Sequence, residues 1–130
     1  MKNYLGVDVT RPNQKLILLR GIPGAGKSTK AKELATENNS IIHSTDDVIE
    51  SKYNYFDFFT KMKETNDFKL LGRMHDINYR NSIKSMNDGF ALTLIDNTNI
   101  KPLDAKKYVN YALSIGYSDK NIIFVDVGTN

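Results

Sequence analysis

There is no cysteine among the 130 residues of the chain, which excludes disulfides, thiolate metal sites and a cysteine nucleophile and agrees with a reducing compartment. No apolar run approaches membrane-spanning length and the first residues lack a signal peptide's apolar core, so a cytoplasmic protein with no membrane partner is expected. Repeats, low-complexity tracts and linkers are also missing, and 130 residues suit one domain, 1–130, with 1–14 as an N-terminal arm. The formal charge is only +3. It is spread along the chain and reads first as a solvated surface. Neither His43 nor His75 has the histidine or cysteine neighbours of a metal site.

Against these absences stands one dense motif, Gly21-Ile22-Pro23-Gly24-Ala25-Gly26-Lys27-Ser28-Thr29, which spells the phosphate-binding loop G-x-x-x-x-G-K-[ST]. At ordinary residue frequencies a chance match in so short a chain has a probability on the order of half a percent. The context agrees with the motif. Leu16-Ile17-Leu18-Leu19 is a continuous apolar run suited to a strand buried on both faces of a parallel sheet, and a helix is expected from Gly26 to about Glu37. Gly21, Gly24 and Gly26, with Pro23 and Ala25 between them, let the backbone approach a phosphate, and the helix start adds free N–H groups and a positive dipole end. In such a loop Lys27 reaches the β- and γ-phosphates, Ser28 offers its hydroxyl to Mg²⁺, and Thr29 lies beside the α-phosphate. A nucleoside triphosphate, ATP with Mg²⁺, is the expected ligand.

Three further strands are expected, at 41–43, 91–95 and 122–125, giving an α/β fold of three layers (α/β/α) with a mainly parallel sheet of four core strands. Open parallel sheets bind ligands beyond the carboxyl ends of their strands. Two acids fall there. Ser44-Thr45-Asp46-Asp47 follows the second strand, with Asp46 expected in a chemical role and Asp47 as helix cap. Asp96 closes an apolar strand in the Walker B manner, where a carboxylate orients Mg²⁺ or its waters. Between them, aromatic residues from Tyr53 to Phe68 alternate with Lys52, Lys61, Lys63 and Lys69. Either this is a stacking surface for single-stranded nucleic acid or, as Phe56, Phe59 and Met62 suggest, a helix burying an edge; the second is expected. A long helix from about Asp67 to Asp88, closed by Gly89, would turn Leu71, Met74 and Ile77 inward. Arg73 and Arg80 would share one of its faces. Pro102 should start the last helix, buried through Ala105, Tyr108, Val109 and Ala112 and stopped by Gly116.

Taken together, GIPGAGKST, HSTDD, LIDNTN, KPLDAKKY and the terminal FVDV strand resemble the polynucleotide-kinase-like branch of P-loop kinases, whose best-known members are the phage 5′-hydroxyl polynucleotide kinases. The resemblance runs from about Leu16 to Val127 and includes the His75 and Asn78 spacing. It implies ATP-dependent transfer of the γ-phosphoryl group to a hydroxyl, most plausibly the 5′-hydroxyl of a nucleic acid. Asp46 would accept or orient that hydroxyl, and Asp96 would be the second acid of the crevice. The phage kinases carry an arginine at the place of Ile49, and members of the branch continue past the fourth strand into an arginine-bearing lid. Without that lid, Arg73, Arg80 or a second subunit would have to reach the γ-phosphate, or turnover would be slow. Rival expectations are a small-molecule or nucleotide kinase and a lidless nucleotide-binding regulatory module. Oligomeric state is left open.

Overall fold

The computed structural model describes residues 11–21, 26–35, 39–97 and 102–127, the side chains of Lys27 and Ser28 excepted. Four strands, β1 (Lys15–Arg20), β2 (Ser40–His43), β3 (Leu92–Asp96) and β4 (Ile122–Asp126), form one sheet in the order β2-β3-β1-β4. Every pairing is parallel. β1 lies between β3 and β4, which is why four successive apolar residues are buried in it with no polar alternation.

Alternate residues of the strands feed two different cores. On one face Ile17, Leu19, Leu92 and Leu94 pack with Ala31 and Leu34 of α1 (Lys27–Leu34). On the other, Leu16, Leu18 and Ile95 meet Met86 of α4 (Lys69–Asp88) and Ala105, Tyr108 and Ala112 of α5 (Pro102–Ser114). Helices therefore cover both faces, giving the expected three layers of a P-loop NTPase α/β fold. A third cluster, Val48, Ile49, Phe58, Met62 and Met74, joins α2 (Thr45–Lys52) and α3 (Tyr55–Thr65) to α4.

Local chemistry sets the ends of these elements. Pro102 occupies the first position of α5, where its missing N–H costs nothing. Gly89, at φ 91°, closes α4 in a left-handed conformation and donates its N–H to the Met86 carbonyl. Asn54 caps α3 by accepting the Asp57 N–H at 3.0 Å.

A boundary and a face depart from expectation. α1 is described from Lys27 to Leu34, and Glu37, where its end is expected, lies outside the described residues; α4 starts at Lys69 because Asp67 takes the Lys69 N–H on its side chain at 3.0 Å. The segment after Tyr53 is the expected helix packed at an edge, with one change on its inward face. Met62 is buried as expected and Phe59 packs half-buried beside it, but Phe58 takes the inward place expected of Phe56, which is 76% exposed. A series at 56, 59 and 62 has a period of three, so on a 3.6-residue helix it drifts off any single face; 58 and 62, four apart, stay on one. At the amino end, residues 1–10 of the expected arm lie outside the described residues, and Arg11 bridges in parallel to Tyr117.

Candidate active site

Three strands deliver their ends to one edge of the sheet. β1 runs out into Gly21, and the chain resumes in the described structure at Gly26, which stands at φ 87° immediately before α1. Nothing lies within 4 Å of where a Cβ would sit on Gly26, so glycine is required there by its backbone conformation and not by crowding. Its carbonyl accepts the Lys30 N–H at 3.0 Å and begins the helix. Ile22, Pro23, Gly24 and Ala25 and the side chains of Lys27 and Ser28 lie outside the described residues, and Thr29 is exposed.

Beside β1, the end of β3 places Asp96 in register with Leu19. Asp96 is 7% exposed, so its carboxyl belongs to the interior of the edge and not to its solvated rim. The end of β2 leads through Ser44 into α2. Ser44 holds the N-cap position, which corrects the expectation for Asp47. Both Asp46 and Asp47 fall in the first turn, where carboxylates complement the helix dipole; Asp47 is exposed and Asp46 half-buried.

A buried side chain ties these two strand ends together. The Asn97 Oδ1 atom accepts the Thr45 N–H at 3.0 Å, the Thr45 hydroxyl at 2.9 Å and the Asn78 amide at 3.1 Å. Thr45, Asn78 and Asn97 are all buried. His75 Nδ1 lies 2.8 Å from the Thr45 hydroxyl. Tyr108 reaches the same group: burial pushes its phenol pKa up, and hydrogen bonding with Asn97, Asn78 and Ser82 partly offsets that. The first residue after Asp96 thus holds the residue before Asp46. Sequence reasoning quoted both in its motifs and gave neither a role, because an asparagine and a threonine 52 positions apart carry no local signal of pairing.

The outer wall of the edge is aromatic. The Tyr55 hydroxyl donates to Asp46 Oδ1 at 3.4 Å, a long bond, and the Tyr55 ring lies 4.7 Å from that of Phe59. Burial, and then the Asp46 charge, raise the Tyr55 pKa. Ile49, at the place where the resembling kinases carry arginine, is wholly buried in the α2–α3–α4 cluster and is unsuited to hold an acceptor. Arg80 pairs with Asp76 one turn earlier on its own helix at 2.9 Å, and Arg73 is exposed. His43, on β2, meets the Ser85 hydroxyl at 2.7 Å, and burial lowers its pKa. Among the described residues no cluster of three or more His, Cys, Asp or Glu could hold a metal. A loop ending in a left-handed glycine at a helix start, with a buried carboxylate on the adjacent strand, fits a magnesium nucleotide, for which few protein ligands suffice.

A strand leading into the G-x-x-x-x-G-K-S motif, a helix opening at Lys27 and an all-parallel sheet fit a P-loop nucleotide-binding domain. The chain belongs to the AAA_33 family, described as an AAA domain, whose model matches residues 16–127. It is also similar to NEDD4-binding protein 2 of Homo sapiens, 36% identical over 97 residues; the match covers 72% of this chain and 5% of that protein, so the chain spans about a twentieth of the relative's length. No helix among the described residues is long and apolar enough to cross a membrane.

Proposed function

We propose that the chain transfers the γ-phosphoryl group of ATP to a hydroxyl, and that the acceptor is the 5′-hydroxyl of a nucleic acid. The observation that carries the reading is the convergence of three strand ends on one edge: β1 leading to the phosphate loop, β3 ending in Asp96, and β2 leading to Asp46. Membership of the AAA_33 family supports the nucleotide and kinase parts. The nucleic-acid part rests on the motif resemblance to polynucleotide kinases.

In this reading Gly21, Pro23, Gly24, Ala25 and Gly26 shape the cradle, and Lys27 neutralises charge on the β- and γ-phosphates. Thr29 lies beside the α-phosphate. Bound magnesium ATP supplies the phosphoryl group and the screening of its charge, with Ser28 and Asp96 as the residues that hold or orient the ion. Asp46 aligns the acceptor hydroxyl and takes its hydrogen bond. The hydroxyl oxygen forms a bond to the γ-phosphorus as the bond to the β–γ bridging oxygen breaks, and the proton leaves through Asp46 or solvent. A carboxylate is a weak base toward an alcohol, so orientation is the larger part of that residue's work.

One observation favours a second reading, a small-molecule acceptor. α2 carries Asp46, Asp47 and Glu50 against the single Lys52, and this acidic wall beside Tyr55 suits a neutral or cationic hydroxyl compound better than a polyanion. Offering labelled γ-phosphate ATP with a 5′-hydroxyl oligonucleotide and, separately, with neutral and cationic polyols decides between them. Label on the oligonucleotide is expected. Label on polyols alone would establish the second reading, and label on neither would overturn both.

A further inference from the structure

Three donors converge on Asn97 Oδ1, and one of them settles how the rest must be arranged. The Thr45 backbone N–H can only donate, so at 3.0 Å it fixes which end of the Asn97 amide faces α2. With the oxygen there, the Thr45 hydroxyl, 2.9 Å away, must also donate to it. A hydroxyl has one hydrogen. At its other contact, 2.8 Å from His75 Nδ1, the Thr45 oxygen can therefore only accept, and Nδ1 must carry a proton. In the neutral ring this leaves Nε2 as the acceptor nitrogen. The Thr45 N–H is one of the donors that a helix start leaves without an intrahelical partner. Ser44, at the cap position, makes no side-chain bond to the helix. Asn97, just beyond the end of β3, satisfies the first of those donors from outside the helix.

We propose that Asn97 is a positioning residue. Its amide oxygen pins the first turn of α2, and with it Asp46, to the end of β3 that carries Asp96, and through Thr45 it holds His75 in the Nδ1–H form. The part concerning transfer rests on the function proposed above; the brace itself does not. A single oxygen shared by three donors spaces the two acids by short contacts in a buried setting, where a lost partner cannot be replaced by solvent. Misplacement of about 1 Å in such an arrangement can cost about 100-fold in rate.

The test reads the brace and the chemistry separately, in the full chain. Long-range ¹H–¹⁵N spectra, taken above the imidazole's titration range, are expected to show His75 protonated on Nδ1. In Asn97→Ala the Thr45 hydroxyl is released and can turn to donate to Nδ1, so the ring should shift toward the Nε2–H form and the Thr45 amide should lose its protection from exchange. Because Asn97→Ala strips three buried donors of their acceptor, Thr45→Val and Thr45→Ser accompany it: the first removes only the hydroxyl, the second retains it. Transfer is expected to fall about 10- to 100-fold in Asn97→Ala and Thr45→Val and to recover in Thr45→Ser. Affinity for magnesium ATP, measured by calorimetry, should stay within about twofold in all three, since the phosphate loop is untouched. Nε2–H in the parent chain, or Thr45 exchange unchanged in Asn97→Ala, would overturn the brace. Parent-like transfer in Asn97→Ala and Thr45→Val, with the spectra as expected, would overturn the positioning role. A parent chain that moves no phosphate to any acceptor, with the spectra as expected, would retain the brace and remove the acid chemistry it was said to serve.

Discussion

The two faces of the sheet are built from the same strands and in opposite ways. The core cluster under α1 is aliphatic, Ile17, Leu19, Ala31, Leu92 and Leu94, with buried Asp96 beyond it on the same side of β3. The face under α4 and α5 buries Leu16, Leu18 and Ile95 as well, but it also encloses Asn78, Ser82, Ser85 and Thr93 and the Tyr108 phenol. Polar groups under helices are costly unless bonded. On this face many are: Ser82 donates to the Asn78 carbonyl at 2.7 Å, Ser85 meets His43, and Asn78 donates to Asn97. The chain of bonds ends at the residues flanking Asp46 and Asp96. The core under α1 is the drier of the two, and the core under α4 and α5 is linked by hydrogen bonds to the residues flanking both acids.

The comparison is sharpened most by Asp46→Asn. Transfer should fall about 10²- to 10⁴-fold, the usual value of a well-placed general acid or base, with nucleotide affinity unchanged. Because Ser44 and not Asp46 stands at the cap, thermal stability should drop by less than about 1 kcal/mol, the scale of a carboxylate at a helix start. A larger drop with transfer intact would make Asp46 a structural residue. Asp96→Asn belongs with it and should also shift the Mg²⁺ dependence of the rate. Superimposable Mg²⁺ titrations for the two variants would count against the metal-side role of Asp96.

On the aliphatic face the expected signature is reversed. Leu94 is fully buried against that cluster, so Leu94→Ala should cost about 2.7 to 5 kcal/mol of unfolding free energy, read from urea midpoints. Transfer per folded molecule should stay close to the parent value. If the rate fell along with stability, the two faces would not be separable in the way their composition suggests.

How much of this could be read beforehand follows from where each signal resides. The strand through Leu16–Leu19 and the helix that opens at Lys27 were legible because the motif and its apolar flank are contiguous, and so were the left-handed Gly89 and the opening Pro102. Asp46 and Asp96 could be placed at the same edge because parallel topology requires it. The inward aromatic of α3 was not legible, since Phe56, Phe58 and Phe59 offer competing registers and only packing against α2 and α4 selects Phe58. The brace was hidden for a different reason. Thr45, Asn78, Asn97 and Tyr108 come from α2, α4, the end of β3 and α5, and polar residues score as surface wherever a pattern of apolar spacing is sought.

A smaller effect tests the loop that borders the aliphatic face. Lys27→Ala removes one charge and its hydrogen bonds to the phosphates, each charge-assisted bond contributing about 1.5 to 3 kcal/mol, so magnesium ATP affinity should fall by roughly 10- to 100-fold. Calorimetry measures it directly. Unaltered affinity would place the nucleotide elsewhere than in the loop that opens α1.

The smallest effect concerns pH and should appear only on the polar face. His43 is held at the Ser85 hydroxyl, and burial lowers its pKa from the usual 6.5. The folded state therefore prefers the neutral ring, while the unfolded chain still takes up a proton near pH 6.5. Between that value and the lower folded pKa the unfolded state binds more protons, so stability is complete above about pH 6.5 and is lost as pH falls through the window below it. His43→Gln retains a group able to bond Ser85 but does not titrate. Urea midpoints of the parent at about pH 7.5 and about pH 5.5 should differ by more than those of the variant, any remainder being common to both. Leu94→Ala, altered on the aliphatic face, should keep the parent's pH slope while its midpoints are lower throughout. Equal slopes in parent and His43→Gln would show that His43 ionises as freely in the fold as outside it, and the polar face would lose its claim to the pH response.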